Sequence, residues 1–183
     1  MKILDWLSHR RILLFWTVAI LEICLPWFIQ TFIKTVSSTG KVTLNCEVLK
    51  IYDGDTITVR CNSEKIRVRL HCIDTPEIAQ KPWGIQSRDY LRELTGATVH
   101  IKSVGEDRYK RTIGIVTRPD GLNLNMAMVE AGQAAVYNKY CSDSEFHEAE
   151  QVARDSNVGG WFSAGLHQTP WEYRRLKRHS TGK

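Results

Sequence analysis

From residue 42 to residue 72 apolar side chains recur at every second position in three short runs: Val42, Leu44, Cys46 and Val48; Ile57, Val59 and Cys61; Ile66, Val68, Leu70 and Cys72. That period belongs to half-buried strands and is incompatible with one helix over the stretch. Two turn signals divide the runs, Asp53-Gly54 and Asn62-Ser63. Leu49 and Ile51 take the opposite parity to Val48, which requires a bulge or a strong coil in the first strand. Arg67, Arg69 and His71 interleave the third run, so its second face is polar. The pattern predicts a meander of three short strands.

The rest of the chain adds helices and two more strands. "WGIQSRDYLRELTG" reads as a helix stopped by Gly96, and "ATVHIKSV" and "RTIGIVTR" read as strands, the second ended by the Pro119-Asp120-Gly121 turn. "NLNMAMVEAG" predicts a short helix closed by Gly132. The last predicted helix spans residues 142–160, with Ser142 and Glu145 as a capping box, Phe146, Ala149 and Ala153 on one face, and Gly159-Gly160 as its stop. Three strands, a helix, two strands and two helices predict an α+β, mainly β fold: a five-stranded, partly open OB-fold barrel with about three helices. Such barrels often bind oligonucleotides, but the fold does not fix the function.

The first 41 residues differ in kind. Residues 12–33, "ILLFWTVAILEICLPWFIQTFI", are long enough to cross a bilayer as a helix. Glu22 near the centre costs about 2.5–3.5 kcal/mol on insertion scales, which the surrounding Leu, Ile, Phe and Trp residues offset. The apolar residues surround this helix instead of forming one stripe, which argues against a buried soluble helix. We read an uncleaved anchor through which the chain associates with a membrane. The alternative is a cleaved signal peptide with a site near Ser37-Ser38. Lys2, Arg10 and Arg11 make residues 1–11 basic and cytoplasmic, so residues beyond a linker at 34–41 are expected on the exported side, periplasmic or extracellular. A globular domain over 42–166 and a basic tail over 167–183 complete the division.

Cysteine usage agrees with export. Cys24 falls in the apolar segment, while Cys46, Cys61, Cys72 and Cys141 fall in the exported part, an even number that invites two disulfides, with free buried thiols as the alternative. About a two-residue turn centred between Asp53 and Gly54, Cys46 and Cys61 face each other, leaving Cys72 and Cys141 for a second bond. A bulge would shift that register by one residue. The formal charge of +5 and pI of about 9.0 fit a polyanionic partner without proving one. Nothing in the sequence implies a protein partner, and a monomer is expected.

Asp55 is the residue these patterns do not explain, because it opens a strand, where carboxylates are disfavoured. Two further stretches bear on it: "RLHCIDTPE", with Arg69, Asp74, Thr75, Pro76 and Glu77, and "DRYKR", with Asp107, Arg108, Tyr109, Lys110 and Arg111. Together with "DGDT", in this order and at these spacings, they resemble the staphylococcal (thermo)nuclease family over residues 43–162. The resemblance implies one calcium ion held by Asp55, Asp74 and the carbonyl of Thr75. It implies Arg69 and Arg111 as guanidinium groups that stabilise charge on a phosphate, and Glu77 as the general base that activates water. Tyr109 and Tyr137 would contact nucleotides. The expected activity is therefore calcium-dependent hydrolysis of DNA or RNA; the alternative is an OB-fold module that binds nucleic acid without cutting it. Three departures stand out. Lys110 replaces a glycine of the prototype, the loop from Glu77 to Trp83 is shorter, and the tail "TPWEYRRLKRHSTGK" extends beyond the prototype. Arg174, Arg175, Lys177 and Arg178 in that tail either guide nucleic acid or form a solvated basic segment.

Overall fold

The computed structural model describes residues 43–181. Among these residues no helix is long and apolar enough to cross a membrane. The predicted anchor or signal at 12–33, the basic segment 1–11 and the linker at 34–41 lie outside the described residues.

The three alternating runs form β1 (Thr43–Ile51), β2 (Thr56–Cys61) and β3 (Glu64–Leu70). After the two-residue strand β4 (Ile73–Asp74) come helix α1 (Trp83–Thr95), β5 (Thr98–Glu106), β6 (Thr112–Thr117), α2 (Leu124–Glu130) and the short β7 (Ala135–Val136). α3 (Ser144–Asp155), two 3-10 turns and α4 (Pro170–Thr181) end the described chain. β1, β2, β3, β6 and β5 close into a barrel in that order, and β4 pairs with β7 outside it. The five-stranded barrel was legible in advance. The described residues hold four α-helices where about three were expected, and the barrel is closed where a partly open one was expected.

The bulge falls where the parity changed. β1 pairs with β2 as Cys46↔Cys61 and Val48↔Val59, then slips to Lys50↔Thr58 and Ile51↔Ile57. The slip centres the turn on Gly54, not between Asp53 and Gly54 as the two-residue hairpin assumed. The bulge absorbs that one-residue difference, so the cysteines still face each other and form a disulfide with Cα atoms 4.4 Å apart. The second disulfide joins Cys72 to Cys141. β1 continues around the barrel by pairing Thr43–Glu47 with Lys102–Thr98 of β5.

Ile57, Val59, Val68, Leu70, Val99, Ile101 and Val116 fill the core, joined by Leu91 of α1 and Leu124 and Met128 of α2. Each such side chain contributes about 1.5–3 kcal/mol when fully buried. Asn125 of α2 is buried as well, and it is satisfied. Its amide nitrogen donates to the carbonyls of His71 and Gly114, and its oxygen accepts from Val116 N. This fixes α2 against the ends of β3 and β6.

Two sequence expectations are corrected. Asp143, not Ser142, caps α3, its carboxylate accepting from Glu145 N at 3.0 Å, and the helix ends at Asp155, ahead of Gly159-Gly160. The basic tail is helical: Pro170 opens α4, and Thr169 Oγ1 donates to Glu172 Oε2.

Candidate active site

The turn between β1 and β2 delivers Asp55 to the barrel's edge. Asp53 shapes that turn, its Oδ1 accepting from Asp55 N at 3.2 Å. Gly54 is required by close approach: a Cβ there would lie 1.9 Å from Ser87 Oγ of α1. Thr56, next to Asp55, is the Cα partner of Arg69 on β3, and Leu70 N donates to Asp55 O. The pairing therefore sets the Arg69 side chain beside Asp55.

Beyond β3 the chain reverses at Cys72, whose φ of 70° is left-handed. That conformation costs about 1–2 kcal/mol for a residue other than glycine. It is held by His71 N donating to Gly114 O, by Tyr137 N donating to Cys72 O, and by the bond to Cys141. The reversal sends β4 against β7, Asp74 opposite Ala135, and turns Asp74 back toward Asp55.

One guanidinium spans both aspartates. Arg69 Nη1 pairs with Asp55 Oδ1, and Nη2 pairs with Asp74 Oδ1 at 2.7 Å. Thr75 donates from both its N and its Oγ1 to Asp55 Oδ2, each at 3.1 Å, and Thr56 Oγ1 donates to Asp55 Oδ1. Glu77 follows in a turn locked by Gln80, whose Oε1 accepts from Glu77 N and whose N donates to Glu77 O. Gly84 of α1 packs against that turn. A second guanidinium closes the cluster: Arg174 of α4 donates to Asp74 Oδ2 at 2.6 Å and to Glu77 Oε1 at 2.8 Å.

These contacts set the charges. Burial alone would raise the Asp55 carboxyl, but the charge and hydrogen bonds of Arg69, with those of Thr56 and Thr75, hold it below the ordinary carboxylate value. Burial and then the negative charge of Asp55 push Asp74 up, against the pull of Arg174 and Arg69. Burial, followed by Asp55, pushes Asp53 up to about 7. Burial disfavours both charged guanidiniums, yet the carboxylates around Arg69 and Arg174 raise their affinity for the proton.

The donor chemistry suits a hard cation. Asp55 and Asp74 lie within the span of one guanidinium fork, and the backbone oxygen of Thr75 follows directly in the chain. Calcium takes 6–8 oxygen ligands, so such a set leaves room for water and substrate oxygens. Among the described residues no group of three or more His, Cys, Asp or Glu is arranged to hold a metal ion. A cation here would therefore depend on these two carboxylates with backbone, water or substrate oxygens.

The structure thus brings Asp55, Arg69, Asp74, Thr75 and Glu77 together. Arg111 is held differently: its side chain pairs with Asp107 Oδ2 at 2.7 Å, and its backbone N donates to Asp107 Oδ1. It directly precedes β6, which pairs in parallel with β3 as Val68↔Thr112 and Arg69↔Ile113. Strand parity therefore puts it on the same side of the sheet as Arg69. Tyr109 is 65% exposed, with the Arg108 and Arg111 guanidiniums over its ring. Lys110 adopts a left-handed φ of 62°, the conformation a glycine would favour. Tyr137 stacks on Trp171 of α4 with ring centroids 5.6 Å apart. In the sequence Arg174 stands out only as part of a basic tail, and Trp171 does not stand out at all. Their signal was present: Thr169-Pro170-Trp171-Glu172 is a capping box with proline at the first helical position. It predicts a helix that carries Trp171 and Arg174 on one face.

Comparison with known proteins agrees with this architecture. Residues 67–163 match the family described as Staphylococcal nuclease homologue. Over 146 residues the chain is 38% identical to a micrococcal nuclease of Shigella flexneri, covering 74% of this chain and 83% of that one. It is 39% identical over 131 residues to an uncharacterized endonuclease of Escherichia coli O157:H7, covering 71% and 84%. An uncharacterized endonuclease of Haemophilus influenzae is 35% identical over 128 residues, covering 69% and 71%. The matched stretch carries Arg69, Asp74, Thr75, Glu77, Tyr109, Arg111 and Tyr137 within the fold described above, and the chain belongs to the staphylococcal nuclease family.

Proposed function

We propose that the chain is a calcium-dependent nuclease that hydrolyses phosphodiester bonds of DNA or RNA, in a domain exported behind the segment at 12–33. The observation that carries this reading is the single guanidinium of Arg69 set between Asp55 and Asp74, with Glu77 at their edge. Such a cluster offers hard oxygens and fixed positive charge at one point. Family membership supports the nuclease assignment, and the donor set supports calcium.

In this reading Asp55, Asp74 and the Thr75 carbonyl hold the ion. Bound calcium supplies positive charge to a phosphate oxygen and acidifies water. Glu77, whose side chain is 41% exposed, takes a proton from the attacking water. The water oxygen bonds to phosphorus as the bond to the leaving oxygen breaks, and solvent protonates that oxygen. Arg69 uses its two terminal nitrogens on the aspartates, but a guanidinium carries five N–H donors. Donors remain for the charge that builds on the phosphate. Arg111 reaches the same charge once it exchanges Asp107 for phosphate. Tyr109 and Tyr137 offer ring faces to bases, a contact worth about 1–3 kcal/mol each and tolerant of sequence.

Digestion of plasmid DNA and of a structureless RNA in calcium and in chelator tests the proposal. Cleavage in calcium that stops in chelator is expected. Binding without cleavage in either condition would instead make the chain a nucleic-acid-binding barrel.

A further inference from the structure

α4 touches the active site at two points that the proposed reaction needs open. Arg174 donates to Asp74 Oδ2 and Glu77 Oε1, a proposed cation ligand and the proposed base. Trp171 stacks on Tyr137 with an interplanar angle of 5°, on a ring proposed to receive a base. The two residues are three apart on a helix and so share one face. The helix is anchored just ahead of its first turn. His167 stacks on Trp83 at 4.2 Å and bonds the Gly160 carbonyl at 2.7 Å, and Gln168 Nε2 donates to the same carbonyl. Residues 175–180 are exposed. α4 therefore lies against the site through its first turns and leads away from it.

Resting on the proposed nuclease reading, we propose that α4 is a built-in strap: Arg174 holds the place of a cation on Asp74 and covers the proposed base Glu77, and Trp171 holds the place of a base on Tyr137. The substitution follows from charge and shape. Asp74 has a side chain with no exposed surface, so ionised it needs a positive partner on the side that Arg69 does not cover. Arg174 occupies Asp74 Oδ2, the oxygen that Arg69 leaves uncovered, so a divalent cation that takes that oxygen displaces Arg174 and not Arg69. An indole parallel to a tyrosine ring presents the same face that a stacked base presents. Cation and nucleic acid together displace both contacts, whereas either one alone displaces one of them. The barrel keeps its own core when the strap lifts, because α4 contributes no residue to the main cluster of buried apolar side chains.

Calcium titrated calorimetrically into the full-length chain, without nucleic acid, reads the competition directly. Arg174→Gln keeps the helix and removes the charge; it is expected to bind calcium about 10-fold more tightly than the wild type, the effect of losing one charge-assisted hydrogen bond that calcium must break. Arg175→Gln, the next residue on the same helix, is expected to bind as the wild type does. In hydrogen exchange, amides of 170–181 in the wild type are expected to exchange faster when calcium and a phosphorothioate oligonucleotide are added together. Unchanged or weaker calcium binding by Arg174→Gln, or slower exchange with both ligands, overturns the strap and leaves Arg174 as a residue that positions Glu77. If the wild type cleaves in calcium and Arg174→Gln fails to tighten, the strap alone is wrong. If the wild type binds no calcium, the reading of the site fails and takes the strap with it.

Discussion

Replacing Gly54 by alanine places a methyl group into the contact that fixes Asp55. The added Cβ lies 1.9 Å from Ser87 Oγ, 2.9 Å from Thr75 Cγ2 and 3.0 Å from Ser87 Cβ. Rotating Ser87 relieves the shortest of these and breaks its hydrogen bond to the Gln133 carbonyl, a loss of about 1 kcal/mol. The two carbon contacts persist through that rotation, and accommodating them costs about 1–3 kcal/mol in shifted backbone. The expected loss of stability is therefore about 2–4 kcal/mol, read from urea unfolding at neutral pH. Thr75 also holds Asp55 Oδ2, so the displacement reaches the proposed cation ligand, and calcium binding should weaken as well. A second variant separates the parts. Ser87→Ala alone should cost about 1 kcal/mol for its hydrogen bond, yet cost nothing further in the Gly54→Ala background, where that bond is already lost. A loss below about 0.5 kcal/mol for Gly54→Ala, within the range of ordinary surface changes, would refute the packing argument.

The two disulfides close loops of unequal length, with sequence separations of 15 and 69. By chain entropy, removing Cys72–Cys141 as a double alanine variant should cost about 4 kcal/mol and removing Cys46–Cys61 about 3, in matched denaturant titrations; the reverse order would contradict it. Lys110→Gly should stabilise the chain by about 1 kcal/mol by relieving the left-handed φ of 62°, and a loss in thermal unfolding would show that the lysine side chain matters more. Burial alone would raise the Asp107 carboxyl, but bonds from Arg111 and Tyr109 depress it below 3.8, so its contribution is present above that pH and is lost as pH falls through the lower folded value. Asp107→Asn should therefore destabilise the chain at pH 7, and that effect should shrink as pH falls below 3.8; an effect that does not change with pH would remove the charge argument.

Strand parity made the barrel legible, because alternation fixes both the element and its buried face. Even the bulge showed, as the change of parity between Val48 and Ile51. The pairs β4 and β7 did not show, since two residues carry no period. The cluster of Asp55, Arg69, Asp74, Thr75 and Glu77 was legible through the resemblance that "DGDT" and "RLHCIDTPE" carry to the nuclease family, not through periodicity. The contacts around it were not. Ser87 and Gln80 act through backbone geometry that no spacing announces. Arg111 meets Asp107 across a loop whose closure depends on the left-handed Lys110. Arg174 reaches Glu77 across 97 residues and Asp74 across 100, a tertiary contact that the capping signature at Thr169 does not specify. That signature gives the helix but not the surface against which it lies.

In the proposed nuclease Asp55 and Asp74 bind the cation and Glu77 moves a proton. Glu77→Gln separates the two roles. Calcium binding by calorimetry and single-turnover cleavage of a labelled oligonucleotide should be measured on the same preparation as the wild type. Calcium should still bind while cleavage slows by about 10²–10⁴-fold. Cleavage by Glu77→Gln at the wild-type rate, with calcium bound, would contradict it.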